Sequence, residues 1–295
     1  MFKFSQSNGG YEYNTASSMV IVEFIKFLMA ASLHTKDLTD GGAIKMSFSE
    51  LYQSTRRELQ AHIDAHIIKT YAFLAVSYAV CNQMVFWIMS VADPGIFSLV
   101  KSSSPMLVAG MNLLVYKKKL SGEQWKCVIF LICGLVPVTS ASCDASKVAY
   151  TFSSYLLMGS NTAWSALNSV VNANALKELK MTLPMQNMIL YAMGVCINLI
   201  IYLFTSTGGG FFSGYGSLSV WFLIFLNASI GLAINAVYKY GDAVLKQFSQ
   251  PICSSVLVFL SWMLFGMQLS AVKVAGTATV LCATVSYMNA PRAGS

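Results

Sequence analysis

The most restrictive feature of this sequence is a series of long apolar runs that follow one another along almost its whole length. A helix needs about 20 mostly apolar residues to cross the hydrocarbon core of a bilayer, and nine runs approach that length. They cover residues 16–33, 68–90, 95–116, 125–141, 149–172, 184–206, 217–238, 243–265 and 270–289. The sequence therefore predicts an all-α polytopic membrane protein with nine visible spans.

Composition excludes several other classes of protein. The chain is 56% hydrophobic and only 11% charged, whereas soluble proteins carry about 25% charged residues. The net charge of +7 is spread over short segments between the apolar runs, so it does not indicate a nucleic-acid partner. No metal-ligand spacing and no nucleophile–base arrangement is present in the sequence. We therefore expect no metal, no cofactor and no enzymatic activity.

The distribution of lysine and arginine predicts the orientation in the membrane. When the segments between runs are assigned alternately to two sides, most of the basic residues fall on one side, which is therefore cytosolic. The C-terminus is then cytosolic and the N-terminus is not. The long cytosolic loop 34–66 carries Leu59 and Ile63, and Ile67 follows directly after it, at helical spacing among charged residues. This pattern predicts a helix that either lies on the membrane surface or is solvated as part of an ordinary loop.

A short internal similarity indicates an inverted repeat. The segments VKSSSP (100–105) and KQFSQP (246–251) each lie between an aspartate and a Leu-Ser pair at matching intervals, and they are five spans apart. An odd offset turns the second copy upside down, which is the plan of many secondary transporters with a substrate site near the midplane. We therefore expect a first repeat at residues 1–145 and a second, inverted repeat at 146–295.

Two lysines within the apolar runs are candidates for a functional site. A charge at the membrane centre costs about 2.5–3.5 kcal/mol on insertion scales, so a charged residue there is expected to have a structural or functional partner. Lys101 either faces a water-filled cavity with an anionic ligand or pairs with a distant acid such as Glu23. Lys246 either forms an anion site with the N-terminus of its helix, held by Asp242, or extends to the headgroups. Pro251 would kink that helix.

Other polar residues within the runs have two interpretations each. Glu23 and Lys26 share one helix face and form either a structural pair or a gate. Amide side chains in the runs either join helices or read the edge of a base, and tyrosines either pack or stack on a flat ring. These residues are Asn82, Asn168, Asn187, Asn235, Tyr78, Tyr191 and Tyr240.

Six stretches, spread over nearly the whole chain, carry a resemblance to a known family. The chain resembles the nucleotide-sugar transporters that carry CMP-sialic acid, UDP-galactose and UDP-N-acetylglucosamine in NTASSMVIVEFIKF (14–27), YAVCNQMVFW (78–87), LSGEQW (120–125), QNMILYAMG (186–194), FFSGY (211–215) and KYGDAVLK (239–246). The resemblance implies the drug/metabolite transporter fold, which has ten helices in two inverted five-helix repeats. The chain begins where the family's second helix is about to begin. We therefore expect either a truncated start or an incomplete first repeat.

The resemblance also implies a function and a set of site residues. The implied function is exchange of a cytosolic nucleotide sugar for a lumenal nucleoside monophosphate across the Golgi membrane or, alternatively, the endoplasmic reticulum membrane, by a monomer or a homodimer. Another organic anion as cargo and a non-transporting membrane scaffold remain alternatives. The predicted substrate-binding residues are Asn82, Lys101, Asn187, Tyr191 and Lys246, and the supporting ones are Tyr78, Ser102, Ser165, Lys239, Tyr240 and Asp242.

Two departures from the family pattern leave the sugar open. Gly122 stands where the family usually has a lysine in LSGEQW, and Ala173 stands where it has a glutamate. Lys101 lies in the helix before Gly122 and carries the same charge as the missing lysine, so it is expected to compensate.

Overall fold

The computed structural model describes most of the chain, and nearly all of the described residues are helical. The described residues are 6–7, 10–40, 48–92, 94–140, 152–179, 181–206, 210–241, 243–249, 252, 263 and 271–291. The strands β1 (Gln6–Ser7) and β2 (Gly10–Tyr11) form a short antiparallel pair at the start.

Ten helices have both ends within the described residues. The helices of the first half are α1 (Thr15–Asp40), α2 (Phe48–His62), α3 (Ala65–Val91), α4 (Pro94–Lys101), α5 (Ser104–Tyr116) and α6 (Gly122–Ser140). The second half contains α7 (Phe152–Glu178), α8 (Leu183–Thr205), α9 (Leu218–Tyr240) and α10 (Ala271–Asn289), with helical residues 243–249 between the last two.

Four helices among the described residues are long and apolar enough to cross a membrane. They are α1 over Thr15–Leu38, α3, α8 and α9, and each coincides with a predicted span. The predicted spans 125–141, 149–172 and 270–289 coincide with α6, α7 and α10, which are helical but fall outside that group of four. Most of 243–265 lies outside the described residues. An all-α membrane protein is confirmed, and the count of nine spans stays a prediction.

The predicted span 95–116 is not one helix, and this expectation was wrong. The structure has α4 and α5 instead, with a break at Ser102 and Ser103. The reason is Pro105, which lies in the first turn of α5. Its ring would clash with the carbonyl four residues earlier, that of Lys101, so a continuous helix through this point is disfavoured. Lys101 is consequently the last residue of α4.

The helix predicted in the loop 34–66 is present as α2. Leu59 of this helix and Ile63 just after it pack against a cluster of buried side chains that includes Ile67, Tyr71 and Met185. The Glu58 carboxylate lies 3.8 Å from the imidazole of the buried His34. The α2 segment is therefore held on the protein by apolar packing and by a contact with the end of α1.

The chain forms two compact units, and each unit takes residues from both halves of the sequence. The first unit comprises residues 1–86 and 171–240, and the second comprises 87–170 and 241–295. In the first unit α1 packs along α8 and α9. In the second unit α6 packs along α10. The division into repeats at residue 145 concerns sequence symmetry and stays a prediction.

Two contacts show how the second unit is held together. A Cβ atom at Gly134 would lie 2.9 Å from the carbonyl oxygen of Gly276, so this glycine lets α6 and α10 approach closely. Ser104 at the start of α5 donates a hydrogen bond to the Gln247 amide oxygen at 3.1 Å. Both contacts join segments that are far apart in sequence.

The start of α1 is fixed against the loop that precedes α9. The Asn14 side chain accepts hydrogen bonds from the backbone N–H groups of Ala16 and Ser17 and so caps α1. The Ser17 and Tyr215 hydroxyls share a hydrogen bond of 2.7 Å. Burial raises the pKa of Tyr215 to about 12, and the bond to Ser17 acts in the opposite direction. The phenol is therefore neutral at physiological pH.

Gly214 permits this approach. Its φ of 81° is left-handed, and a Cβ atom there would lie 2.7 Å from the Tyr13 nitrogen. We predict that Gly214→Val lowers the stability of the protein by about 1–3 kcal/mol, because it adds both backbone strain and a clash. Thermal unfolding in detergent measures the effect. Gly216→Val is the matched control, since a Cβ atom at Gly216 meets nothing within 4 Å. Equal melting temperatures for the two variants would contradict the prediction.

Candidate functional site

A polar cavity lies within the first unit among its four candidate spanning helices. Its volume is about 200 Å³. The helices α1, α3, α8 and α9 all contribute to its lining. The polar and glycine residues of the lining are Glu23, Lys26, Tyr78, Asn82, Tyr191, Gly194, Asn198, Asn227, Gly231 and Asn235.

Helical spacing explains why these side chains share one cavity. Residues three, four or seven positions apart lie on the same face of a helix. In α8, Tyr191, Gly194 and Asn198 follow this spacing. In α9, Asn227 and Gly231 do so as well, and Asn235 continues the same face. Each spanning helix therefore presents one polar or small stripe to the cavity.

An ion pair on α1 forms the charged part of the cavity wall. The Lys26 Nζ atom lies 2.7 Å from Glu23 Oε1, and both side chains are largely buried. The same ammonium group lies 5.3 Å from the centre of the Tyr191 ring, within the range of a cation–π interaction. The cation is thus paired twice, and the structural pair that the sequence suggested for Glu23 and Lys26 is present.

Two glycines make room for this ion pair. A Cβ atom at Gly194 would lie 3.0 Å from Glu23 Oε2, and one at Gly231 would lie 2.6 Å from Lys26 Cε. Any larger residue at either position would push against the charged side chains. The space for Glu23 and Lys26 is therefore built into α8 and α9.

Asn235 is the centre of a buried hydrogen-bond network at one end of the cavity. Its amide nitrogen donates to Asn187 Oδ1 at 2.7 Å and to the Tyr191 hydroxyl at 2.9 Å. Its amide oxygen accepts from the Asn172 side chain at 2.9 Å, and Asn172 also donates to the Tyr78 hydroxyl. The network joins α3, α7, α8 and α9 and fixes the orientation of the Tyr78 and Tyr191 rings at the cavity.

The structure brings part of the predicted site together. Asn82, Tyr78 and Tyr191 line the cavity, whereas Asn187 lies behind it and reaches it through Asn235. Lys239 donates to the Met181 carbonyl at 2.6 Å and so ties the end of α9 to the start of α8.

The other predicted site residues are not part of this lining, belong to the second unit or lie outside the described residues. Tyr240 is 79% exposed and is not part of the lining. Lys101, Ser102, Ser165 and Lys246 belong to the second unit, and Asp242 and Pro251 lie outside the described residues.

Within the second unit, the predicted residues are described by their own contacts. The Lys101 ammonium lies 5.1 Å from the centre of the Phe97 ring, one helical turn earlier in α4. Ser102 is buried and donates to the Ser98 carbonyl at the helix break. Ser165 accepts a hydrogen bond from the Ser169 hydroxyl through its backbone carbonyl. Lys246 is half-buried in the helical residues 243–249.

Several residues of the cavity and its network were missed at the sequence level. They are Asn172, Gly194, Asn198, Asn227 and Gly231. The signal that would have found most of them is periodicity, because they repeat on the faces that carry Tyr191 and Asn235. Considering each amide by itself could not separate those that line a cavity from those that only join helices.

A second cavity, in the second unit, has a different character. It measures about 400 Å³ and is lined by Trp87, Val91 and residues 153–160 of α7. Serines supply its polar lining, and no charged residue contributes. The cavity of the first unit is therefore the better candidate for an anionic or polar ligand.

The helices and the cavity together define an integral membrane protein with a polar chamber among its spanning helices, the class to which carriers belong. A sequence model of the nucleotide-sugar transporter family matches residues 1–288. The chain belongs to that family, and the resemblance seen in the sequence is confirmed. Its relatives are transporters, so the expectation that it is not an enzyme is confirmed as well.

Individual relatives are similar over most of their length. The probable UDP-sugar transporter protein SLC35A4 of Xenopus tropicalis is 27% identical over 289 residues, which cover 95% of this chain and 84% of the relative. The CMP-sialic acid transporter 1 of Oryza sativa subsp. japonica is 26% identical over 278 residues, which cover 90% and 81%. One solved crystal structure matches with a TM-score of 0.65 at 12% identity and covers 97% of this chain and 92% of that one, which supports the fold alone.

We predict that Asn235→Leu destabilises the protein by about 2–3 kcal/mol, because it leaves Asn187 Oδ1 and other buried partners without hydrogen bonds. Thermal or denaturant unfolding in detergent measures the change. Asn112→Leu on α5 is the control, since the half-buried Asn112 side chain makes no hydrogen bond within the described part of the chain. A loss of stability that is no larger for Asn235→Leu than for the control would show that the network contributes little.

Proposed function

We propose that the protein is an antiporter that exchanges a cytosolic nucleotide sugar for a lumenal nucleoside monophosphate in the Golgi membrane. Family membership supports the general class of cargo. The exchange mechanism, the counter-substrate and the Golgi location are parts of the proposal, as are the inverted repeats that would alternate between two open states.

The observation that carries the proposal is the composition of the cavity in the first unit. It combines an oriented aromatic ring with several amides from four helices, beside the Glu23–Lys26 ion pair. The base and ribose of a nucleotide offer matching chemistry, because they have a flat ring and donor and acceptor edges.

Tyr191 and Asn235 are the proposed contacts for the base and ribose, with Asn187 as the residue that positions Asn235. The Tyr191 ring has one polar partner at its hydroxyl and a cation at its face. A base that stacks in this region would compete with the Lys26 ammonium for the ring. Lys26 and Glu23 would then separate or shift when ligand enters, which is the gating role considered for this pair.

The size of the cavity sets a limit on what it holds. Ligand pockets commonly measure about 300–1,000 Å³, and this one measures about 200 Å³. A volume of this size accommodates a base with part of its ribose, whereas a complete nucleotide sugar needs more room. Ligand binding therefore requires the cavity to widen.

Lys101 and Lys246 are proposed to bind phosphate groups. The support is chemical: both are cations in segments that are otherwise apolar, and charge-assisted hydrogen bonds to phosphate are strong. Lys101 also lies at a helix break, as in transporters in which interrupted helices contribute to ion and substrate sites.

The central experiment is trans-stimulated uptake. Purified protein in liposomes preloaded with UMP or CMP should take up labelled nucleotide sugar faster than protein in empty liposomes, because exchange needs a counter-substrate to return the carrier. The cargo must bind both end states with similar affinity, or one state would be trapped. Absence of stimulation with every pair, while a known transporter works in parallel, would reject the proposal. Stimulation by a different organic anion would instead support the wider class of carrier.

For single residues, we predict that Lys101→Ala and Lys246→Ala each reduce exchange by more than about tenfold without loss of membrane insertion, because each removes a charged hydrogen bond to phosphate. Uptake rates normalised to the amount of protein in the liposomes measure the effect. Lys126→Ala is the control, because this lysine is exposed and pairs with Glu123 on the surface of α6. Normal transport in Lys101→Ala would return that residue to a structural role.

A further inference from the structure

One end of the cavity in the first unit carries side-chain oxygens that make no hydrogen bond within the described residues. Asn198 lies in the second half of α8 and Asn227 in the first half of α9, so both are at the end near the loop that joins these helices. Asn187 and Asn235, by contrast, lie near the other ends of the same two helices. Asn235 uses both the nitrogen and the oxygen of its amide in hydrogen bonds, whereas the Oδ1 atom of Asn198 makes none within the described residues.

The orientation of the two amides follows from their backbone contacts. The Asn198 nitrogen donates to the Gly194 carbonyl at 2.8 Å, and the Asn227 nitrogen donates to the Leu223 carbonyl at 3.0 Å. A carbonyl oxygen can only accept, so the amide nitrogens must be the atoms that face it. The side-chain oxygens of both residues are consequently left for another partner.

The oxygen of Asn198 is the strongest indication of a ligand. The residue is only 2% exposed and lines the cavity, and its Oδ1 atom has no hydrogen-bond partner within the described residues. Buried polar atoms are rarely left unpaired, so each such atom needs an explanation. In the same part of the chain, the Asn227 oxygen also makes no hydrogen bond, and Glu23 uses only its Oε1 atom for Lys26.

We propose that Asn198, Asn227 and the second oxygen of Glu23 form a subsite for the sugar of the nucleotide sugar, and that they select an uncharged sugar over an acidic one. Three acceptors favour a group that offers donors, and the hydroxyl groups of a hexose do so. A carboxylate offers only acceptors and would face Glu23 with a like charge. This inference rests on the proposed function and specifies the class of sugar.

The first arm of the test uses the wild-type protein and needs no substitution. Liposomes preloaded with UMP are offered UDP-glucose or UDP-glucuronate, which differ only in a CH₂OH group or a carboxylate on the sugar. We expect uptake of UDP-glucose to exceed that of UDP-glucuronate by at least about tenfold, because the acid replaces one hydroxyl donor by a carboxylate, which offers only acceptors and faces Glu23 with a like charge. Liposomes preloaded with CMP and offered CMP-sialic acid are expected to show little exchange.

The second arm uses Asn198→Ala and Asn227→Ala. Each should raise the KM for UDP-glucose about tenfold more than the KM for UMP, because UMP lacks the sugar. Ser229→Ala is the control, since this serine also bonds to a carbonyl four residues earlier in α9 but is not part of the cavity lining. Asn227→Ala by itself decides the point if the fully buried Asn198 proves necessary for folding.

The outcomes distinguish failure of the proposed transport function from failure of the sugar subsite. If no nucleotide is exchanged, including labelled external UMP for internal UMP, the proposed function is rejected. Exchange of UMP without a preference for UDP-glucose over UDP-glucuronate would defeat the subsite alone, as would efficient uptake of CMP-sialic acid. Equal losses for UMP and UDP-glucose in the variants would give Asn198 and Asn227 a purely structural role. A requirement for sodium ions would overturn the subsite as well, because it would assign the three oxygens to a cation.

Discussion

The need to pair charged and polar groups inside an apolar bundle is the constraint on which the first unit depends. Glu23 and Lys26 lie within a helix that is long and apolar enough to span a membrane, where an isolated charge would be costly. Their mutual contact, together with the Tyr191 ring, lowers that cost. A buried pair is rarely the most stable solution, since apolar residues of similar size often do as well or better. Its presence in the wall of a cavity is the reason for proposing a gating role for it.

The same cavity uses amide groups in two different ways. At one end, Asn235 uses both its amide nitrogen and its amide oxygen in hydrogen bonds, and the network joins four helices. At the other end, Asn198 and Asn227 use only their nitrogens and leave oxygens unpaired. The first arrangement fixes the orientation of the Tyr78 and Tyr191 rings. The second leaves side-chain oxygens without partners within the described residues, and these are the atoms proposed to bind the sugar.

The sequence predicts the spans well because hydropathy is a local property. The predicted runs 68–90, 184–206 and 217–238 match α3, α8 and α9 to within a few residues at either end. The break between α4 and α5 was missed because an average over a window of residues does not register one proline. The end of α1 was also underestimated, since a helix can continue with polar residues beyond the membrane.

The site could be predicted only in part. Asn82, Tyr78 and Tyr191 were found from their residue types and from a resemblance to the family, and the structure places all three around one cavity. The roles of Gly194 and Gly231 could not be predicted, because their importance lies in what they leave empty beside Glu23 and Lys26. The division into two units also depends on contacts between distant segments, which no local pattern encodes.

The length of α1 has a mechanical consequence. Its 26 residues extend about 39 Å at 1.5 Å per residue, which exceeds the roughly 30 Å of hydrocarbon in a bilayer. The ion pair lies near the middle of this rod, and His34, beside Glu58 of α2, lies near its far end. A small tilt of α1 about its middle would therefore produce a larger displacement where α1 contacts α2. A tilt of α1 would therefore couple the cavity to the α2 segment.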